Sequence, residues 1–284
     1  MSKTYNISEL EKITGIKAHT IRIWEKRYNL LTPKRTSTNI RYYDEQDLKK
    51  LLMVVILYKN GMKISEIASL PLSRLQELVL SFKMPSLAQT TTVEQLLLAI
   101  TDFNEAFLND ILIKEIINQG FEAAFEKIIY PFLQKVCLLW LTDAASCLHL
   151  NFAHSQISRF LWQNLKFEQI NSTQPGYLTF APLNHHAIPL LIYFSFLLNR
   201  RQKPTTFLGQ VYNLGDILTT DKFRGNTLVT IYKHINRDFL EPLKYTDMKT
   251  IIIDLEEEAT DFAENPNVIL IHSFDEFKKI VEES

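Results

Sequence analysis

Apolar residues recur every three or four positions along the first seventy residues, which is the spacing of amphipathic helices. The pattern predicts a helix over residues 7–14, with Ser8 capping its first turn and Gly15 ending it. A second short helix is predicted over residues 18–28. The polar stretch 32–43, flanked by extended segments, then predicts a β-hairpin.

The same periodicity continues after the hairpin. Asp44 caps a longer predicted helix over residues 45–60, Gly61 ends it, and residues 63–69 form a last short helix. From residue 93 to residue 169, apolar residues again recur at helical spacing, which predicts a bundle of four or five helices. The polar stretch 83–92 predicts a linker.

The pattern changes after residue 174, where short β-rich runs alternate with helical stretches. The predicted strands are residues 176–181, 205–208, 227–232, 250–253 and 268–271, and the clearest helices are residues 188–199 and 273–282. Alternation of this kind is typical of a doubly wound parallel sheet, which binds ligands at the carboxyl ends of its strands.

These elements predict a multidomain protein of the α and α/β classes. The expected domains are an N-terminal winged helix-turn-helix over residues 1–80, a middle helical bundle over residues 93–170 and a C-terminal doubly wound sheet over residues 174–284. With 46% hydrophobic and 22% charged residues, the composition is that of a packed protein and excludes a disordered or collagen-like chain.

Three further features of the sequence indicate the cellular compartment of the protein. The start of the chain lacks the apolar core of a signal peptide, and the longest apolar runs, such as residues 188–198, are shorter than a membrane span. The cysteines, Cys137 and Cys147, are too few for a disulfide scaffold and match no zinc motif. We therefore expect a cytoplasmic protein.

Charge is divided unevenly along the chain. Residues 1–80 carry 14 Lys and Arg against 8 Asp and Glu, a net charge of +6, whereas residues 81–284 carry 17 against 24, a net charge of −7. In the second predicted helix, His19, Arg22 and Lys26 share one stripe, and Ile21, Trp24 and Tyr28 share another that we expect to face the core. A short basic helix of this kind fits the DNA major groove.

Several motifs in this region resemble the winged helix-turn-helix domain of the MerR family of transcription regulators. They are T-I-R-I-W-E-K-R-Y-N-L-L, P-K-R, I-R-Y-Y-D-E-Q-D-L and G-M-K-I-S-E-I, in that order between residues 5 and 70. The resemblance implies a dimer that binds and distorts palindromic promoter DNA. It places DNA contacts on the second helix and the wing, at His19, Thr20, Arg22, Lys26, Arg35, Asn39, Arg41 and Tyr42.

The rest of the chain resembles the cobalamin-binding region of the light-responsive MerR branch, with departures at the cofactor positions. Trp140 is present, but the acidic residue and histidine expected after it are Leu150 and Asn151. Of the D-x-H-x-x-G motif, His186 is retained as the candidate lower ligand, whereas the aspartate is Asn184 and the glycine is Pro189.

Other cofactor motifs are missing as well. Asp254-Leu255 replace the Gly-Gly that follows the fourth strand, whereas residues 207–210 still resemble the cobalamin-binding domain. These departures predict that the cobalamin-binding-like, flavodoxin-like fold is retained and the cofactor lost. His185 and His186 without a third ligand make a weak metal site, so no metal is predicted.

The sequence thus favours a sequence-specific, dimeric transcription regulator of the MerR type that does not bind cobalamin. Its expected partners are double-stranded promoter DNA and a second copy of itself, with a tetramer and contacts to RNA polymerase or another protein left open. A cobalamin- or other ligand-dependent sensor, and a C-terminal protein-interaction module, are the alternatives. Catalytic motifs such as G-x-S-x-G and H-E-x-x-H are absent from the sequence, so no enzyme is expected.

Overall fold

The computed structural model describes residues 4–36, 39–83, 90–168, 175–182, 187–232, 237–259 and 262–283. They form two compact units, one of residues 1–90 with 134–150, and one of residues 91–133 with 151–284. The predicted cofactor loop, with Asn184, His185 and His186, lies outside the described residues. The three domain boundaries predicted from the sequence stay predictions.

The first unit begins with the elements expected of a winged helix-turn-helix. Its described helices and strands are α1 Ile7–Thr14, α2 Ala18–Tyr28, β1 Lys34–Arg35, β2 Arg41–Tyr42, α3 Glu45–Lys59, α4 Ile64–Ser69 and α5 Leu72–Lys83. Strands β1 and β2 are antiparallel, so the predicted wing is a hairpin. Helix α5 was not predicted, and it occupies the stretch between the predicted short helix 63–69 and the predicted linker.

The predicted cap of α1 was wrong. Asn6, not Ser8, is the N-cap: its side chain accepts hydrogen bonds from the N–H groups of Ser8 and Glu9, at 2.9 and 3.0 Å. The Glu9 carboxylate in turn accepts the N–H of Asn6 at 2.7 Å. This reciprocal capping box satisfies more free donors than a cap at Ser8 would, and the helix has the bounds predicted from the sequence. Asp44 caps α3 in the same way, as predicted.

The core of the first unit is built from the stripes that the sequence indicated. Ile21 and Trp24 of α2 are buried, as is Tyr43, and the Trp24 ring packs edge-on against Tyr58 with 5.4 Å between centroids. The expectation that Trp24 and Tyr43 face the core is confirmed. The exposed side of α2 is thereby left to its polar residues.

The middle of the chain is helical, as predicted. Its described elements are α6 Thr90–Thr101, α7 Glu105–Gln119, α8 Phe121–Ala124, a π-helical turn Phe125–Ile129, α9 Tyr130–Leu141 and α10 Cys147–Asn164. Helix α6 begins at Thr90, inside the predicted linker 83–92, so it starts three residues before the predicted bundle. Both α9 and α10 contribute residues to each of the two units.

The second unit contains a parallel sheet with the order β4-β3-β5-β6-β7 among its described strands. These are β3 Tyr177–Pro182, β4 Thr205–Val211, β5 Thr227–Ile231, β6 Thr250–Ile253 and β7 Val268–Ile271. Numbered from β3, the order is 2-1-3-4-5, that of flavodoxin-like folds, and the predicted doubly wound sheet is confirmed. The accompanying helices are α11 Ile188–Arg200, α12 Leu214–Thr219, α13 Arg237–Leu240 and α14 Phe274–Glu283.

One strand is longer than predicted. The sequence ended the second strand at Leu208, but β4 continues to Val211. The register against β3 shifts after Phe207, and Gly209 takes a left-handed φ of 71° there. Because this bulge keeps the strand paired, residues 207–210, which resemble the cobalamin-binding domain, lie within a strand.

Aromatic side chains fill the space between α11 and α14. Phe194 is fully buried, with its ring 4.6 Å from that of Phe277 and 5.8 Å from that of Phe274. Tyr193 stacks on Phe125 at 4.0 Å. Buried rings packed at these distances contribute through both area and ring contact, so this cluster anchors α14 beside α11.

Replacing Phe194 with alanine leaves a cavity among these rings. We expect Phe194→Ala to lower the free energy of unfolding by about 3–5 kcal/mol. The measurement is chemical denaturation followed by circular dichroism. Tyr245→Ala, at a position that is 82% exposed, is the matched control and should change the value by no more than about 0.5 kcal/mol. Equal effects of the two substitutions would contradict the packing described.

Candidate nucleic-acid interface

Helix α2 presents a basic face to solvent. His19, Arg22 and Lys26 follow each other at steps of three and four residues and are all exposed, while Thr20 beside them is half-buried. The start of the helix is held by Glu11, whose carboxylate accepts the N–H of Ala18 at 2.9 Å. That hydrogen bond, and the ammonium of Lys17 3.2 Å away, lower the pKa of Glu11.

The wing brings two arginines together. In the register of β1 and β2, Arg35 lies directly opposite Arg41, and Lys34 opposite Tyr42. Like charges at facing positions of a hairpin repel each other, so an anion beside them would be stabilised. Arg35 donates to the side chain of Asn39 at 2.8 Å, and Asn39 itself has a left-handed φ of 66° in the turn.

A buried carboxylate connects α2 to the wing. The side chain of Glu25 is 8% exposed; it accepts a short hydrogen bond from the Tyr43 hydroxyl and lies 3.5 Å from the Nε atom of Arg41. Tyr43 exchanges backbone hydrogen bonds with Tyr5, at 2.8 and 2.9 Å. Helix α2 and the strand that carries Arg41 are therefore held at a defined spacing.

Three predicted DNA contacts line one groove. Arg22 of α2, Asn39 of the turn and Arg41 of β2 face it together with Ile40 and the first residues of α1, Asn6, Ile7 and Ser8. The remaining predicted residues lie outside this groove: His19, Thr20 and Lys26 along α2, and Arg35 and Tyr42 on the wing. Lys34 is paired with Asp44 at 3.0 Å and connects the wing to the start of α3.

Glu25 is the residue of this interface that the sequence analysis missed. Its neighbours in the chain, Lys26 and Arg27, are exposed, and nothing in the local pattern distinguishes Glu25 from a solvated charge. The one signal in the sequence is that Glu25 follows buried Ile21 by four residues, a step that keeps two side chains on the same face of a helix. Its partners, however, are 16 and 18 residues away in sequence.

Several of the residues implicated in cobalamin binding lie in the described part of the chain. Pro189 is buried in the first turn of α11, where its ring fills the position of the expected glycine. The ring of Trp140 faces the ammonium of Lys49 at 5.0 Å, within the first unit, and Lys49 pairs with Asp143 at 2.6 Å. Asp254 is buried and accepts the N–H of Ala259.

A metal-binding cluster and a membrane-spanning helix are both absent from the described residues. Among them, no group of three or more His, Cys, Asp and Glu residues is placed to hold a metal ion. No helix among the residues described is both long enough and apolar enough to span a membrane.

The Tyr43–Glu25 contact predicts an alkaline pH dependence. Burial, and next the Glu25 carboxylate, raise the pKa of Tyr43 above its ordinary value of 10.0. The unfolded chain therefore loses the proton of Tyr43 at a lower pH than the folded chain does. The contribution of the Tyr43 hydroxyl to the free energy of unfolding is complete below about pH 10 and is lost as the pH rises beyond that value.

We expect the free energy of unfolding of the wild type to fall more steeply above pH 10 than that of Tyr43→Phe. Denaturation curves at a series of pH values measure both slopes. Other tyrosines titrate equally in both proteins, so the difference belongs to Tyr43. Parallel curves for the two proteins would contradict the contact.

Comparison with known proteins agrees with this geometry. Residues 5–70 match the MerR HTH family regulatory proteins. The chain is 25% identical to the HTH-type transcriptional repressor CarH of Myxococcus xanthus over 195 residues, which are 66% of this chain and 65% of CarH. It is 39% identical to the HTH-type transcriptional regulator CueR of Bacillus subtilis over 66 residues, which are 23% of this chain and 46% of CueR.

The chain thus spans less than two thirds of the length of each of these relatives. The match to CueR has the length of the DNA-binding region alone, whereas the match to CarH is three times as long. Residues 5–70 therefore form a MerR-type helix-turn-helix domain, in a chain that is similar to CarH over two thirds of its own length.

Proposed function

We propose that the protein is a sequence-specific DNA-binding transcription regulator of the MerR type, and not an enzyme. The observation that carries this proposal is the groove in which Arg22, Asn39 and Arg41 meet, because it joins a base-reading helix to a phosphate-binding wing. The net charge of +6 on residues 1–80 provides the attraction to DNA.

In this proposal α2 enters the major groove. Arg22 reads a base edge, and His19, Thr20 and Lys26 contact bases and phosphates along the same helix. The wing follows the DNA backbone, with Arg35, Asn39 and Arg41 at phosphates and Tyr42 at a sugar or phosphate. Glu25 touches no DNA and acts as a positioning residue, since it holds Arg41 and Tyr43.

The proposed partner is palindromic promoter DNA, bound by a homodimer in the cytoplasm. Two-fold symmetric proteins with a helix-turn-helix bind half-sites one helical turn apart, and both relatives are named as regulators. Residues 1–80 would bind DNA, while residues 93–170 and 174–284 provide dimerisation and any sensing. The proposal extends to two further kinds of assembly. These are a tetramer of the chain and a complex with RNA polymerase or another protein.

The regulator is proposed to work without cobalamin. The substitution of Asn184 for an aspartate removes the group that would orient His186, and buried Pro189 fills space that the cofactor needs. A ligand-dependent sensor is the second candidate function. What favours it is the similarity to CarH, which extends well beyond the DNA-binding region.

The role of Arg22 leads to a direct test. Arg22→Ala should weaken binding to the specific operator by about 1–3 kcal/mol if the guanidinium reads a base edge. The operator is selected from random-sequence duplexes with the wild type, and binding is measured by fluorescence anisotropy. Arg224→Ala, an exposed arginine in the second unit, is the control and should bind as the wild type does. A mutant that binds operator and random DNA like the wild type would refute the role.

Cobalamin binding is tested by absorbance. Protein mixed with adenosylcobalamin in the dark and then desalted should be colourless, and His186→Ala should match the wild type in spectrum, stability and oligomeric state. Corrin bands that remain with the wild type and disappear in the mutant would overturn the proposal of a cobalamin-independent regulator. Operator binding by the same colourless sample shows that the protein is folded.

A further inference from the structure

A cavity of about 470 Å³ lies within the second unit, between α7, α8, α10 and the last turn of α11. This volume falls within the range of small-molecule sites in proteins, about 300–1,000 Å³. Every residue that lines it belongs to this unit.

The cavity is separate from the position where doubly wound sheets bind their ligands. Those sites lie at the carboxyl ends of the strands, which here are Pro182 of β3 and Ile231 of β5. The cavity is lined by Phe196, Asn199 and Arg200, at the end of α11 that leads into the start of β4. It therefore lies toward the amino ends of the strands, away from their carboxyl ends.

The inner walls of the cavity are apolar. Phe121 and Phe196 meet edge to face with 5.0 Å between ring centroids, and Phe160 lines the wall contributed by α10. Ile117 is 77% exposed and Ile113 is 44% exposed, although both are apolar side chains of a folded helix. A ligand with an apolar body would remove this surface from water, at roughly 25 cal/mol per Å².

The charged residues of the lining are two cations and one anion, namely Lys166, Arg200 and Glu168. The Glu168 carboxylate accepts a hydrogen bond from Gln202 at 2.6 Å, and Arg200 lies 3.4 Å from Glu122. Lys166 is exposed and makes no ion pair with any residue that the structure describes. Its ammonium is therefore the cation available to a ligand.

The segment that carries Lys166 is fixed in place. The Asn199 side chain accepts the N–H of Glu168 at 2.7 Å and donates to the carbonyl of Glu168 at 2.8 Å. Asn199 is itself 5% exposed, so these hydrogen bonds are shielded from water. A buried side chain thus holds the backbone of Glu168, two residues after Lys166, at the apolar cavity.

We infer that this cavity binds a small molecule with an apolar body and a single anionic head group, such as a medium-chain carboxylate. The apolar body lies against Phe121, Phe160, Phe196 and Ile117, and the head group lies at Lys166. The site gives the protein a ligand distinct from cobalamin, and its existence does not depend on DNA binding.

The probe is dodecanoate, titrated into the full-length protein by calorimetry below the concentration at which micelles form, without DNA. We expect one site, and weaker binding of dodecanol, which has the same chain without the charge. Lys166→Gln should weaken dodecanoate binding by about tenfold, the effect of one charge-assisted contact. Lys222→Gln, at an exposed lysine outside the cavity, should leave the affinity unchanged.

A second pair of variants tests the apolar wall. Ile117→Asp places a like charge against the ligand and should abolish binding, whereas Leu98→Asp, at a 56% exposed position outside the cavity, should not. Both positions are exposed, so both variants should fold, which circular dichroism checks. The inference is overturned if the wild type does not bind dodecanoate, if dodecanol binds equally well, or if Lys166→Gln and Lys222→Gln behave alike.

Discussion

The DNA-binding surface depends on one buried carboxylate. Glu25 lies under α2 and accepts a hydrogen bond from Tyr43 while it faces the guanidinium of Arg41. A buried charge is costly unless it is paired and hydrogen-bonded, and here both conditions are met by residues at the base of the wing. The helix that we propose reads bases and the hairpin that we propose contacts phosphates are thereby joined by a polar connection beside the apolar core.

Much of the fold follows from local patterns. Gly15, the apolar stripe of Ile21 and Trp24 and the motifs that follow were enough to define α2 and the wing. The β-rich run at residues 250–253 coincides with β6, which is buried at every position, because a strand buried on both faces has a short, nearly continuous apolar run as its sequence pattern. The run at residues 268–271 coincides with β7, although Ile269 is 42% exposed there. In these two segments, the run of β-branched and apolar residues indicates both that the element is a strand and how long it is.

The features that the sequence did not predict are those that depend on a distant partner. Glu25 is one, and Lys49 is another: it lies on α3 in a charged stretch, yet it is 4% exposed because Asp143 and Trp140, over ninety residues away, receive its ammonium. The extension of β4 depends on a bulge at Gly209. The cap at Asn6 was missed for a different reason, since Asn6 and Ser8, two residues apart, are both good capping residues and only the reciprocal bond with Glu9 decides between them.

The wing arginines have a consequence for how the protein responds to salt. Arg35 and Arg41 face each other across the hairpin, so in the absence of DNA their repulsion opposes the fold of the wing. Added salt screens that repulsion, yet the same salt weakens the attraction to phosphate. We therefore expect ionic strength to act in opposite directions on the free wing and on the complex of the wing with DNA that we propose.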